Sequence, residues 1–149
     1  MEQKKKKINI KDIFIKLLLK EGKKHISEKI FNNILINLKN KTKQKPKFIL
    51  IKTIQNLSPK LKLISIPLVK RKTNKKKFRS RYFLMFLNEE KQIKISINWI
   101  LYISKTKPQN FTQNITNEIL ETFNKKSKSI EKKKQMYNEI KKLRYNIKF

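Results

Sequence analysis

Apolar residues recur with the period of an α-helix in six segments of this chain. In the first segment, Ile10, Ile13, Phe14, Leu17 and Leu18 fall at positions i, i+3, i+4, i+7 and i+8 and form one stripe. The stripe predicts a helix over 10–21. Similar stripes predict further helices over about 25–39, 46–57, 88–104, 112–124 and 130–145.

Several residues mark the ends of these predicted helices. Gly22, the one glycine of the chain, directly follows the first segment and is predicted to cap it in the left-handed conformation. Pro46 suits the first turn of the third helix, where its missing N–H costs no helical hydrogen bond. Glu89 and Glu90 suit the first turn of the fourth helix, because carboxylates favour the positive end of the helix dipole.

The stripes also predict which side chains face the core. Apolar residues cover most of the circumference of the fourth helix, including Trp99, Tyr102 and Ile103, and this pattern predicts a central, buried helix. The inward positions predicted in four other helices are Ile26, Ile30, Ile34 and Leu38; Leu50, Ile51, Ile54 and Leu57; Ile115, Ile119, Leu120 and Phe123; and Met136, Ile140, Leu143 and Ile147.

The apolar period changes between the third and fourth helices. Apolar and polar residues alternate approximately over 61–68 and again over 78–82, before the apolar run Phe83–Leu87. Alternation is typical of strands, so we expect a β-hairpin over about 60–87, with Pro67 at an edge or a bulge. Its tip, 70–77, is strongly cationic.

The predicted fold is mainly α. It is a six-helix, bundle-like body with a projecting β-hairpin inserted between the third and fourth helices. Residues 1–9 are expected to form a basic N-terminal tail, and residues 10–149 a single helical domain.

Composition narrows the choice of partner. Lys and Arg number 40 against 10 Asp and Glu, so the formal net charge is +30. A chain with this much like charge repels itself unless an anionic partner neutralises it, and nucleic acid is the obvious polyanion. The chain has no cysteine, which excludes disulfides, cysteine zinc sites and thiol catalysis. Its longest apolar run is far too short to span a membrane.

Five short motifs occur in order along the chain: Phe14–Lys24 with Ile30-Phe31, Lys41-Thr42 with Pro46, Asn56–Pro59, Trp99, and Glu131–Met136. Together they resemble the family of the seventh protein of the small ribosomal subunit, in its bacterial and organellar form. The first motif is similar to that family's helix–Gly-Lys-Lys–helix opening. The chain departs from the family where Lys43 replaces a loop glycine, and where the hairpin lacks a glycine pair.

The resemblance implies a structural rRNA-binding protein with no enzymatic activity and no cofactor. Members of the family bind the 3′ major domain of small-subunit rRNA and help to organise the head, and their hairpin lies near the mRNA exit path and the E-site tRNA. The expected partners are therefore small-subunit rRNA, neighbouring head proteins, mRNA and E-site tRNA, with no membrane.

The location follows from coding bias as well as from the resemblance. The chain is rich in Lys, Asn and Ile, has one Gly and has no Ala, as expected of AT-rich coding. We expect an organelle-encoded protein of the mitochondrial ribosome. A plastid and the cytoplasm of an AT-rich bacterium are the alternatives.

Clusters of basic residues are the candidate RNA-binding sites. The projecting hairpin favours RNA contact because it combines Arg forks with Lys charges, although a solvated turn protected against edge pairing is the alternative. The candidates are Lys4, Lys5, Lys6 and Lys7 in the tail; Lys20, Lys23 and Lys24 beside Gly22; Arg71, Lys72, Lys75, Lys76, Lys77, Arg79 and Arg81 in the hairpin; and Lys132, Lys133 and Lys134 in the last helix.

Four other residues have less specific interpretations. Phe78 and Tyr82 either stack on bases or pack against the sheet. Trp99 is predicted to be a core anchor, with base stacking as the alternative. His25 is the one histidine, and with no second histidine or cysteine beside it we assign it no chemistry.

Three further functions stay open at this point. A DNA-compacting or transcription-associated helical protein would share the basic charge. An RNA nuclease or maturation enzyme would need a metal-binding or acid–base constellation, and the acidic residues show no such spacing. A protein lying on a membrane surface would use an amphipathic helix to bind anionic lipid.

Overall fold

The computed structural model describes residues 8–68, 79–144 and 147–148. Within these ranges the chain forms six helices and three strands. The helices are α1 (Ile10–Leu18), α2 (Lys24–Thr42), α3 (Pro46–Leu57), α4 (Glu89–Thr106), α5 (Phe111–Phe123) and α6 (Lys128–Leu143). The strands are β1 (Leu61–Leu68), β2 (Arg79–Phe86) and β3 (Ile147–Lys148).

The predicted fold is confirmed: a helical body carries a β-hairpin between α3 and α4. β1 and β2 pair antiparallel without interruption from Leu61 opposite Phe86 to Leu68 opposite Arg79. β1 lies at the edge of the sheet, where the missing N–H of a proline is tolerated. The prediction of an edge position for Pro67 is therefore confirmed, and the described register contains no bulge.

The third strand is a feature that the sequence pattern did not predict. Ile147 was expected on the inward stripe of the last helix, but α6 ends at Leu143 and Ile147 lies in β3 instead. β3 pairs parallel with β2, with Ile147 opposite Tyr82 and Lys148 opposite Phe83. The C-terminal segment therefore binds the inner strand of the hairpin on the side that β1 leaves open.

The core is built by the first five helices. Fully buried side chains come from each of them, including Phe14, Ile34, Leu57, Ile100 and Ile119. Helix α5 packs against α2, α3, α4 and α6, and so occupies the middle of the body. Burying a large apolar side chain of this kind contributes about 1.5–3 kcal/mol, so this cluster is the main source of stability.

The first helix is shorter than predicted. It ends at Leu18, Leu19 is extended, and Gly22 lies in the turn that follows rather than at the helix cap. Gly22 does have the predicted left-handed conformation, with φ of +72°, and Glu21 before it also has a positive φ of +52°. Helix α1 thus ends before the predicted residue 21, and the two left-handed residues lie in the turn that leads into α2.

Three predicted inward positions are wrong. Ile26, Ile51 and Tyr102 are 53%, 45% and 59% exposed. In α3 the buried side contains Ile49 and Thr53 in place of Ile51. Thr53 is accommodated there because its hydroxyl donates a hydrogen bond to the carbonyl of Ile119, 3.3 Å away in α5.

A buried carboxylate joins α5 to the start of α6. Glu118 is fully buried, and its Oε1 accepts hydrogen bonds from the Oγ of Ser129 at 2.7 Å and from the backbone N–H of Ser129 at 3.2 Å. Its Oε2 accepts from the Nζ of Lys107 at 3.0 Å. Burial alone would lower the pKa of Lys107, but the hydrogen bond and charge of Glu118, with a smaller contribution from Glu121, raise it overall.

Candidate nucleic-acid interface

The turn between α1 and α2 presents three of the predicted RNA-binding lysines. Lys20, Lys23 and Lys24 are all exposed there. Helix α2 begins at Lys24, no side chain caps its N-terminus, and its first turn contains no acidic residue. The free N–H groups and the positive dipole end of a helix favour an anion. A phosphate bound here would also stabilise the three lysine charges, which otherwise repel one another.

Most other helices of the body begin differently. The side chains of Asn9, Asn88, Asn110 and Ser127 accept a hydrogen bond from the first turn of α1, α4, α5 and α6. Helix α3 resembles α2, because Lys45 precedes it and no side chain caps it. The two helix starts that lack a capping side chain are thus the two at which a lysine, Lys23 or Lys45, occupies the N-cap position.

Neighbouring carboxylates hold the lysines of the α1–α2 turn only weakly. Lys23 lies 2.9 Å from Glu21, and Lys24 lies 3.8 Å from Glu28, in both cases between largely exposed side chains. Exposed ion pairs of this kind contribute about 0–1 kcal/mol. Phosphate can therefore replace these carboxylates at little cost.

The three predicted lysines of α6 have different surroundings. The Nζ of Lys132 lies 3.6 Å from the centre of the Tyr102 ring. The Nζ of Lys133 donates to the carbonyl of Asn56 at 2.9 Å, and its pKa is lowered by burial and, to a lesser extent, by the charge of Lys60. Lys134 is exposed. Only Lys134 is thus both exposed and without a described contact of this kind.

Much of the predicted hairpin and tail site lies outside the described residues. This holds for Lys4, Lys5, Lys6, Lys7, Arg71, Lys72, Lys75, Lys76, Lys77 and Phe78. The backbone of Arg79 is part of β2. Arg81 is exposed and stands opposite Ile66, on the face of the sheet away from Tyr82. As RNA contacts, all of these residues stay predictions.

A groove of about 750 Å³ lies between the hairpin, α4 and α6. Tyr82, Ile95, Trp99 and Met136 supply apolar surface to it, and all four are half-buried. Trp99 also packs against the core, so the prediction of a core anchor is correct for one part of its surface. The groove joins segments that are distant in sequence, and no local pattern predicted it.

Sequence reasoning also omitted a basic cluster around the turn from α2 to α3. Lys39, Lys41, Lys43, Lys45 and Lys47 are all exposed there. Lys43 has a positive φ of +54° and ends α2 in the left-handed conformation, at the position of the family's loop glycine. The alternation of lysines over 39–47 was the available signal, and it was interpreted only as a polar loop.

Two classes of site are absent from the part of the chain that the structure describes. No group of three or more His, Cys, Asp or Glu residues there is arranged to hold a metal ion. Among the same residues, no helix is long and apolar enough to cross a membrane.

Comparison with known proteins identifies the family. The sequence model of the family described as ribosomal protein S7p/S5e matches residues 1–139. The small ribosomal subunit protein uS7 of Nitratidesulfovibrio vulgaris is 26% identical over 125 residues, which cover 83% of this chain and 75% of that protein. The protein uS7m of Schizosaccharomyces pombe is 30% identical over 124 residues, covering 83% of this chain and 45% of that protein. The chain therefore belongs to the ribosomal protein S7p/S5e family.

Proposed function

We propose that this chain is a structural, non-enzymatic protein of the small ribosomal subunit, which binds the 3′ major domain of the subunit's rRNA and helps to organise its head. The observation that carries this proposal is the match to a ribosomal-protein family over residues 1–139. The formal charge of +30 supports it, because a polyanion such as RNA neutralises many cations at once.

The mechanism is neutralisation of rRNA phosphates by lysines on several surfaces of the chain. Lys20, Lys23 and Lys24 surround the N-terminus of α2, where N–H groups add to the attraction for phosphate. The tail lysines Lys4–Lys7 and the α6 lysines extend the contact. Folded rRNA is recognised mainly by its shape and backbone, so lysines spread over a compact helical body suit it.

The proposal gives the hairpin a separate role. Its tip residues Arg71, Lys72, Lys75, Lys76 and Lys77, with Arg79 and Arg81 on β2, reach the mRNA exit path and the E-site tRNA. The domain organisation is a basic tail, 1–9, followed by a single rRNA-binding domain, 10–149. Neighbouring head proteins cover other surfaces of this domain.

The proposed location is the mitochondrial ribosome. The 30% identity to a protein named uS7m supports an organellar ribosome, as does AT-rich coding. The bacterial relatives compared are 26% identical or less to this chain. A plastid and a bacterial cytoplasm are therefore the alternative locations.

Binding of the purified chain to rRNA fragments tests the proposal. We expect a fragment of the 3′ major domain to bind more tightly than fragments of the other small-subunit domains. An excess of duplex DNA should not displace it. Equal competition by duplex DNA would instead support a DNA-compacting protein.

A charge-matched pair of variants tests the site at the start of α2. One variant carries Lys20→Glu, Lys23→Glu and Lys24→Glu; the control carries Lys52→Glu, Lys91→Glu and Lys105→Glu at exposed positions of α3 and α4. Both change the net charge equally. We expect the first to reduce the salt dependence of rRNA binding by about one unit of slope per lost phosphate contact, and the control to reduce it less. Equal losses would show that the start of α2 is not a specific contact.

A further inference from the structure

Helix α6 is attached to the body less firmly than the other five helices. Each of α1 to α5 buries at least four side chains, whereas Ser129 is the one buried residue of α6. Ile130 adds a half-buried contact with the core. A helix of this length has little stability of its own, and apolar burial is what normally holds it in place. The core therefore contributes little to keeping α6 folded.

The hairpin also receives little support from the core. Apart from pairing with each other, β1 and β2 pack chiefly against α6 and β3. The groove of about 750 Å³ lies between Leu63 and Tyr82 of the hairpin and Trp99 of α4. A hairpin of two strands is at best marginally stable alone. This hairpin therefore depends on α6 and β3 for its stability.

The C-terminal part of the chain supports the hairpin at two places. The hydroxyl of Tyr137 accepts a hydrogen bond of 3.0 Å from the backbone N–H of Lys60, directly before β1. Strand β3 pairs with β2 at Tyr82 and Phe83. Because α6 precedes β3 in the chain, release of α6 from the body would withdraw both supports together.

The contacts that join this part of the chain to the first five helices are mainly polar. The Nζ of Lys133 donates to the carbonyl of Asn56 at 2.9 Å, and the Oγ of Ser129 donates to Glu118 at 2.7 Å. A hydrogen bond contributes less than the burial of several apolar side chains. Between α5 and α6, Lys125 has a φ of +60°, a conformation that is strained in a residue other than glycine. Release of α6 would relieve this strain.

We propose that α6, β3 and the hairpin form one cooperative unit, which unfolds and refolds while the core of α1 to α5 stays folded. Segments with few buried apolar contacts open at a lower free energy than the core of a protein. The unit combines segments that are distant in sequence, and the contacts of α6 and β3 join them. It would allow the hairpin to be ordered or released without disturbing the core. This inference concerns the free chain and is independent of the proposed function.

Hydrogen exchange of backbone amides, followed by NMR on the full chain, measures this opening. Under conditions in which closing is faster than exchange, each rate reports the population of the open state. We expect the amides of α6, β1 and β2 to share one opening free energy. The amides of α2 and α5 should exchange more slowly, because they are exposed only when the whole chain unfolds.

Two variants distinguish the unit from the core. Lys133→Met removes the donor to Asn56, so it should accelerate exchange in α6 and in the hairpin by the same factor, about tenfold. Ile34→Val removes one methylene group from a fully buried side chain of α2. It should accelerate exchange in α2 and α5 about fivefold and leave α6 and the hairpin unchanged, because the core stays folded when the unit opens.

Tyr137→Phe repeats the first test with the loss of a single hydroxyl group. It removes the acceptor for the N–H of Lys60, so it should also accelerate exchange equally in α6 and in the hairpin.

Two results would overturn the cooperative unit. If Lys133→Met and Tyr137→Phe accelerate exchange in α6 but not in the hairpin, the two elements open separately. If Ile34→Val accelerates exchange in α6 and the hairpin as much as in α2 and α5, the chain opens only as a whole. Because the free chain is measured, neither result bears on rRNA binding.

Discussion

The ammonium group of Lys133 in α6 lies 2.9 Å from the carbonyl oxygen of Asn56, at the C-terminal end of α3. One turn further along α6, the hydroxyl of Tyr137 accepts a hydrogen bond of 3.0 Å from the backbone N–H of Lys60. The hairpin leaves the body between these two points, and the carbonyl of Lys60 accepts from the N–H of Leu87 where the chain returns. Helix α6 thus fixes the base of the hairpin.

Replacing Lys133 tests this attachment. Lys133→Met keeps most of the side-chain length but removes the donor to Asn56, so we expect a loss of about 1.5 kcal/mol in the free energy of unfolding, as for a hydrogen bond from a charged group. Urea denaturation gives this value. Lys134→Met, at the exposed neighbouring position, is the control and should change stability by less than about 0.5 kcal/mol. Equal stability of the two variants would show that the contact to Asn56 contributes nothing.

Replacing Tyr137 tests the second contact. Tyr137→Phe keeps the ring and removes the acceptor for the N–H of Lys60, so we expect a cost of about 0.5–1.5 kcal/mol. Hydrogen exchange should show faster exchange of the Lys60 amide in this variant. Tyr102→Phe is the matched control, because its ring is exposed beneath Lys132. An unchanged exchange rate at Lys60 would contradict the assignment.

The buried carboxylate of Glu118 predicts a larger effect. Glu118→Gln keeps the shape but removes the charge that faces Lys107 and disturbs the bonds to Ser129, so we expect a loss of about 3 kcal/mol. Glu121→Gln is the control, because Glu121 is half-exposed and lies 3.5 Å from the same lysine. Its cost should stay within about 1 kcal/mol. A similar loss of unfolding free energy in both variants would show that the burial of Glu118 does not strengthen its contribution to stability.

The raised pKa of Lys107 predicts how this contribution depends on pH. The pKa of Lys107 in the folded protein lies above its ordinary value of 10.5, so the ion pair contributes fully below that value. The contribution is lost as the pH rises through the raised folded pKa. We therefore expect the stability difference between the unaltered chain and Lys107→Met to be constant near neutral pH and to shrink above about pH 10.5. Urea titrations across this range measure it, and a difference that grows with pH would contradict the sign.

The sequence predicted the helices and the hairpin well because their signals are local. The period of Pro46–Leu57 and the proline at its start define α3, and the structure gives the same bounds. The end of α1 was predicted wrongly because the turn after it contains two left-handed residues, Glu21 and Gly22. Of these two residue types, only glycine indicates a left-handed conformation from the sequence.

Positions that depend on distant partners were not predictable in this way. Thr53 is buried because it meets the carbonyl of Ile119, 66 residues away. Glu118 is buried because Lys107 and Ser129 surround it. Neither residue is apolar, so periodicity placed neither of them in the core.

The features of the candidate site also differ in whether a local sequence pattern reveals them. Charge clusters such as Lys20, Lys23 and Lys24 are visible in sequence, and the structure shows them exposed at a helix start. The attachment of Lys133 to Asn56 and the groove at Trp99 depend on how α6 packs, which no local pattern reveals. The sequence thus located the clusters of lysines. The structure was needed to distinguish lysines that support the fold from those available to RNA.

Sedimentation of the tagged chain from fractionated cells tests the central claim most directly. The account predicts that the chain comigrates with small ribosomal subunits in the mitochondrial fraction, and that it is released together with their rRNA when the subunits are digested with ribonuclease. Comigration with plastid or bacterial small subunits would change only the location. Absence of the chain from all ribosomal fractions would contradict the account.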